Sequence, residues 1–229
     1  ETAYDVTIGP VVNLWGFGPD GPVSEPPSDD AIAAAMSSVG FGKIEADCPE
    51  KLVRKDQENM YVDLSGWAKG YAVDEVAELL GANNIANYLV EIGGEIRVAG
   101  HNKESGLWRV AVEAPSTSQR VPHAVIDVTD TAVATSGDYR NYFEHDGTSY
   151  SHTIDPRTGK PVTHNLAAVT VLHPSAAYAD AMATALLVSG PENGPNLAYD
   201  LGLAAYFLVR DETDVYEITT PEFDLFETR

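Results

Sequence analysis

Apolar residues along the chain recur with two periods, and the switches between them outline the elements. DAIAAAMSSV, opened by Ser28 or Asp29, and the longer stretch DLSGWAKGYAVDEVAELLGANN repeat near every third or fourth position, which predicts two helices. The second ends near Gly81 and places Ala68, Ala72, Val76 and Leu79 or Leu80 on its apolar stripe. AAYADAMATALLVSG gives a third helix. Between them the pattern turns to short alternating or continuous apolar runs: Lys43 to Asp56, Met60 to Leu64, Asn87 to Ile92, Glu95 to Ala99, then WRVAVEA, AVIDVTD, LAAVTVL and AAYFLVR. These predict strands. The opening, YDVTIGPVVNLWGFGPDGPVSEPPSDD, is dense in glycine and proline and reads as an irregular wrapping segment. Strands and helices mix without regular alternation. That favours an α+β sandwich of mixed sheet and helix over a doubly wound sheet.

At 229 residues the chain can bury a sizeable core, and a single domain spanning 1–229 is expected. No repeat or low-complexity linker divides it. Acidic residues outnumber basic ones 35 to 14, for a formal net charge of −21. Such a chain repels nucleic acid and anionic membranes, and its lysines and arginines are too scattered to reverse that field locally. The acidity fits a salt-rich habitat or simple solubility equally well. Cys48 is the only cysteine, so an intrachain disulfide and a cysteine metal cluster are both excluded. No apolar run reaches the roughly 20 residues that cross a bilayer. The chain opens at Glu1 without an initiator methionine, which is compatible with removal of a targeting segment or a lipid-anchored cysteine.

Several groupings carry chemistry. Asp180 and Thr184 stand four residues apart on a helix of small and apolar neighbours, so they share a face. One reading has Asp180 helping to start the helix while Thr184 bonds back to a carbonyl one turn earlier. The other makes them part of a hard-cation site suited to Mg²⁺, because a carboxylate in apolar surroundings needs a partner or a cation. Lys69, with Gly66 and Gly70 beside it and Asp74 five residues on, could meet a phosphate near a helix start, or be a solvated lysine on an amphipathic helix. The Walker order is absent. Gly93 and Gly94 suggest a bulge or a close approach of the backbone to something else. In ATSGDYRNYF, Thr135 and Ser136 precede a glycine turn with Asp138 and Arg140 beyond it. No Gly-x-Ser-x-Gly elbow is present, and a capped turn is the default. YSHTIDPRTGKPV puts His152 before an Asp-Pro turn, where an imidazole could move protons near neutrality or hold a strand. Arg157 and Lys160 beyond it either offset phosphate charge or decorate a hairpin.

Taken in order, VVNLWGFGP, DLSGWAKGYAVD, YLVEIGGEIRVAG, ATSGDYRNYF, YSHTIDPRTGKPV and ADAMATALLVSG resemble the ApbE-type flavin transferases, the FAD:protein FMN transferases. The likeness covers nearly the whole chain. It implies an α+β, tunnelling-fold-like architecture that uses Mg²⁺ to split FAD, joins FMN through a phosphoester to a threonine or serine of an acceptor protein, and releases AMP. By the same resemblance Asp180, Thr184 and the carbonyl of Ala68 hold the metal, and Lys69, Asp74, Gly93, Gly94 and Asp138 lie along the flavin nucleotide. His152 is then the base that activates the acceptor hydroxyl, and it also lies against the nucleotide.

The expected acceptor is a subunit of a bacterial sodium-pumping or electron-transfer complex. The resemblance also implies export, to the periplasm or the outer surface of the bacterial inner membrane, as a lipoprotein whose only membrane contact would be a removed lipid anchor. Family members carry a further N-terminal segment with a Met-Gly-Thr element and a helix that helps hold the nucleotide. A chain starting after it is expected to bind FAD less tightly. Water in place of threonine would make the same site an FAD pyrophosphatase giving FMN and AMP, and loss of turnover would leave a non-catalytic FAD-binding protein. The acceptor is expected to be another protein, since no Asp-x-x-Ser/Thr-Gly-Ala-Thr pattern occurs here.

Overall fold

The structure, a computed structural model, describes residues 3–113, 115, 122–139, 141–211 and 214–226. The chain forms two compact units, one of Glu1–Leu64 with Asn141–Thr163 and one of Ser65–Arg140 with His164–Arg229.

In the first unit, α1 (Gly9–Leu14) forms inside the segment expected to be irregular. Pro10 explains it: proline at a first helical position lacks only an N–H that has no partner there anyway. The helix α2 (Asp29–Met36) begins where the sequence placed it, with the Ser28 hydroxyl accepting from the Ala31 N–H at 3.2 Å. A hairpin of β1 (Ile44–Asp47) and β2 (Leu52–Lys55) follows. Met60 to Leu64, expected as a strand, has no regular structure. Val11, Trp15, Ile32, Val39 and Ile154 form the core of this unit.

The second unit starts with α3 (Ser65–Ala82) and the hairpin of β3 (Tyr88–Ile92) and β4 (Glu95–Ala99). A second hairpin, β5 (Trp108–Glu113) with β6 (Pro122–Val128), precedes β7 (Thr131–Gly137). The chain then supplies β8 (Tyr142–His145), β9 (Thr148–Ser151), β10 (Ile154–Asp155) and β11 (Lys160–Pro161) to the first unit. It returns to the second with β12 (Leu166–His173), α4 (Ala176–Asp200), β13 (Ala204–Arg210) and β14 (Val215–Thr219). One antiparallel sheet runs in the order β14-β13-β12-β7-β4-β3. The fold is α+β, as expected.

β12 explains why LAAVTVL is continuously apolar: both of its faces are covered. Val169 and Val171 pack with Ala179, Ala183, Leu186 and Leu187 of α4, while Ala168 and Leu172 pack with Val110, Val112, Ile126 and Val128 of the β5–β6 hairpin. A register shift between Leu166 and Ala168 against β13 puts Leu166 on the α4 side with Val169, reversing the alternation that simple parity predicts. The helix α4 runs past the predicted Gly190 to Asp200, with a break in helical geometry at that glycine, followed by Pro191. No described helix is long and apolar enough to cross a membrane.

The buried stripe of α3 differs from the predicted one. Gly70, Val73, Asp74 and Ala77 face inward, while Val76 and Leu79 are 39% and 63% exposed. The cause is local: a Cβ at Gly70 would lie 2.3 Å from the Ala176 carbonyl oxygen, so glycine lets α3 come against the start of α4. Asp74 follows on the same face because it bonds to that helix start.

Candidate active site

Asp74 reaches from α3 to the N-terminus of α4. Its oxygens accept from the Ala176 N–H at 2.9 Å, the Ala177 N–H at 3.0 Å, the Ser175 hydroxyl at 2.8 Å and Arg97 Nη1 at 2.7 Å. Burial opposes the anion, but the bonds from Ala177, Ala176, Ser175 and Arg97 outweigh it and hold the carboxyl below its usual range. Expected along the nucleotide, Asp74 is here occupied with the protein itself, capping α4 as a side chain from another helix.

One turn into α4 stands Asp180, 3% exposed. Ser175 is the N-cap, so Asp180 lies beyond the first turn and does not start the helix. Among the described residues its carboxylate accepts one hydrogen bond, from the Gly70 N–H at 3.0 Å, and makes no ion pair. Burial raises its pKa, and the Gly70 bond and the charge of Lys69 only partly offset that. Thr184 donates to the Asp180 carbonyl at 3.3 Å, the back-bond anticipated from sequence, and its hydroxyl also lies 2.9 Å from that of Ser136. Ser136 sits on β7, so the stretch read as a capped turn is strand up to Gly137. Arg140 lies outside the described residues.

This donor set fits a hard cation. An under-satisfied buried carboxylate and a hydroxyl on one helix face are oxygen ligands, and Mg²⁺ takes few protein carboxylates, leaving positions for water and phosphate. Ala68, whose carbonyl was expected to join them, is on α3 next to Lys69. Among the described residues no cluster of three or more His, Cys, Asp or Glu side chains could hold a metal ion.

Glu95, which sequence reasoning missed, completes the arrangement. Only 1% exposed at the start of β4, it pairs with the Lys69 ammonium through Oε1 and accepts the Thr135 N–H at 3.1 Å through Oε2. Burial pushes its pKa up to about 7, with Lys69 opposing the rise and Asp180 adding to it. Gly93 and Gly94 are not a bulge: they form the tight turn between β3 and β4, with φ of +62° and +102°, and the register closes on Ile92 opposite Glu95. A Cβ at Gly93 would sit 3.1 Å from Lys69 Cδ, so the turn runs along the lysine stem.

Asp138 follows β7, and both its oxygens are taken by Arg210 at 2.6 and 2.8 Å. That is a side-on carboxylate–guanidinium pair within the second unit.

His152 belongs to the first unit. Its Nδ1 is 3.0 Å from the Asn141 carbonyl oxygen. A carbonyl only accepts, so in the neutral ring Nδ1 carries the proton and Nε2 bears the lone pair, as a base requires. The Phe17 ring meets it edge-on at 6.3 Å. The nearby cations are engaged: Arg157 binds Asp155 through Nε and Nη2, both at 2.8 Å, and Lys160 reaches Asp29 at 2.8 Å. They build the hairpin of β10 and β11 and tie it to α2.

The family model described as the ApbE family matches residues 1–207. A FAD:protein FMN transferase of Vibrio cholerae is 44% identical over 226 residues, covering 99% of this chain and 67% of its own length. One from Haemophilus influenzae is 45% identical over 215 residues, covering 93% of this chain and 62% of its own. The apo crystal structure of the Pseudomonas stutzeri flavinyl transferase ApbE superimposes with a TM-score of 0.88 at 42% identity, over 98% of this chain and 69% of that one. The chain thus spans about two thirds of the length of the curated relatives it matches.

Proposed function

The chain belongs to the ApbE family, and from that premise we propose that it transfers FMN from FAD to a hydroxyl of an acceptor protein, threonine or serine, releasing AMP. The observation that carries this reading is the Asp180 site: a buried carboxylate with one hydrogen bond among the described residues, on the same helix face as the Thr184 hydroxyl one turn on, where α3 meets α4. Such a carboxylate is costly unless a cation accompanies it. Mg²⁺ held by Asp180, Thr184 and the Ala68 carbonyl would lower the negative charge that shields a diphosphate from attack.

The chain's own groups then divide the work. Lys69 places a positive charge beside that site, where it would meet the diphosphate of FAD. His152, with Nε2 as its basic nitrogen, takes the proton of the acceptor hydroxyl. The acceptor oxygen forms a bond to the FMN phosphorus as the bond from that phosphorus to the bridging oxygen breaks, and AMP leaves with the bridging oxygen. The proton passes from His152 to solvent, so charge and atoms balance.

By the same reading the acceptor is a flavinylated subunit of a bacterial membrane complex that pumps sodium or carries electrons, met on the periplasmic side by an exported lipoprotein. The test is intact-mass spectrometry of such an acceptor domain after incubation with the protein, FAD and Mg²⁺, with AMP followed in parallel. An FMN-sized gain on the acceptor, matched by AMP and lost in Asp180→Ala and His152→Ala, is expected. AMP without acceptor gain would replace transfer by hydrolysis, and neither product would remove catalysis from the reading.

A further inference from the structure

The side of β4 that faces α3 carries Glu95 and Arg97, two residues apart, while Ile96 and Val98 join the opposite core. Glu95 has no evident reason to be there for stability. It is a carboxylate almost without solvent, close enough to Asp180 for the two charges to disfavour each other. An apolar residue would fill that position at less cost. What Glu95 does is specific: one oxygen takes the Lys69 ammonium, and the other is fixed by the backbone N–H of Thr135 on β7. Among the described residues the lysine has no other hydrogen bond or ion pair; it is a flexible side chain left 43% exposed, whose stem is flanked by the Gly93 turn.

We propose that Glu95 is a positioning residue for the transfer reaction. Anchored to β7, it holds the Lys69 ammonium beside the Asp180 site, preset to receive the anionic diphosphate of a dinucleotide substrate. This rests on the reading of FAD as substrate. The pair replaces a search through lysine rotamers with one preset charge, the form of preorganisation from which electrostatic catalysis draws most. It also accounts for glycine at position 93, since a side chain there would press on the lysine stem.

A double-mutant cycle separates positioning from mere structure. Lys69→Met, Glu95→Gln and the double variant are compared by kcat/KM for FAD in acceptor labelling, and by FAD affinity from flavin fluorescence, which needs neither acceptor nor turnover. Glu95→Gln keeps shape but cannot accept from both Lys69 and Thr135. Each single variant should lose roughly tenfold or more in kcat/KM, and the double should lose no more than Lys69→Met alone, within about twofold. Losses that multiply in the double variant would overturn the proposal, because Glu95 would then act independently of Lys69. Glu95→Asp, which keeps the charge but shortens the reach, guards against a misfolded glutamine variant and should fall with Glu95→Gln. If the unaltered protein binds FAD but does not transfer FMN, the proposed function fails while the cycle in affinity still decides this point. If it binds no FAD at all, both fail.

Discussion

Two ion pairs join α3 to β4, and they are built in opposite senses. In Asp74–Arg97 the carboxylate is on the helix and accepts four hydrogen bonds, so its charge is stabilised despite burial. In Lys69–Glu95 the carboxylate is on the strand and accepts two, near a second buried carboxylate, and its charge is destabilised. The difference lies in how completely each anion is satisfied. A saturated anion fixes architecture, here the start of the helix that carries Asp180 and Thr184. An under-satisfied pair leaves an ammonium and a cluster of acceptors ready to interact with something else. Scaffold and site are thus separated by about one helical turn of α3.

The separation can be broken most forcefully at Asp74. Asp74→Ala strands Arg97 and uncaps α4, and should lower stability by about 3–5 kcal/mol in denaturant unfolding. Next comes pH. Glu95 titrates higher in the folded protein than its usual 4.5, at about 7, so its contribution is complete below pH 4.5 and is lost as pH rises through 7. Between those limits the unaltered protein should lose roughly 3 kcal/mol relative to Glu95→Gln, read as the difference between their stability–pH curves. Asp74 has the opposite sign: its contribution is present above its ordinary 3.8 and is lost on acidification through its lowered folded pKa. A smaller effect is expected from Gly70→Ala, whose Cβ would lie 2.3 Å from the Ala176 oxygen. It should cost about 1–3 kcal/mol and, by moving the N–H that meets Asp180, lower FMN transfer as well.

Much of this could be read from the sequence, and the failures at the site share a cause. Four strands of the sheet, β3, β4, β12 and β13, the Ser28 cap and the α4 face bearing Asp180 and Thr184 follow from period and capping chemistry, whereas β7, whose Ser-Gly-Asp end reads as a turn, and the edge strand β14 were not marked as strands. The buried stripe of α3 did not follow, because its inward residues include Gly70 and Asp74, which no hydrophobic pattern marks as core. Glu95 was missed for the related reason that Glu-Ile-Arg-Val alternates like a strand with one face in water. Here that polar face lies under a helix. The one available signal was the opposite charge of Lys69 and Glu95 and of Asp74 and Arg97, which is legible only once α3 and β4 are known to be neighbours. The short α1 escaped because glycine and proline around it outweighed six residues of helix.

The most direct test sets Lys69→Met beside Asp74→Asn, measuring FAD affinity and the unfolding midpoint of each at pH 6. Lys69→Met should weaken FAD binding by roughly tenfold or more while shifting stability by less than about 1 kcal/mol, since the lysine is half-exposed and buried Glu95, titrating at about 7, is largely neutral at pH 6 and is not left as a bare charge. Asp74→Asn should do the reverse, unfolding earlier while its folded fraction binds FAD nearly as the unaltered protein does. If Asp74→Asn abolishes FAD binding without loss of stability, or Lys69→Met unfolds the protein, the division between scaffold and site is wrong.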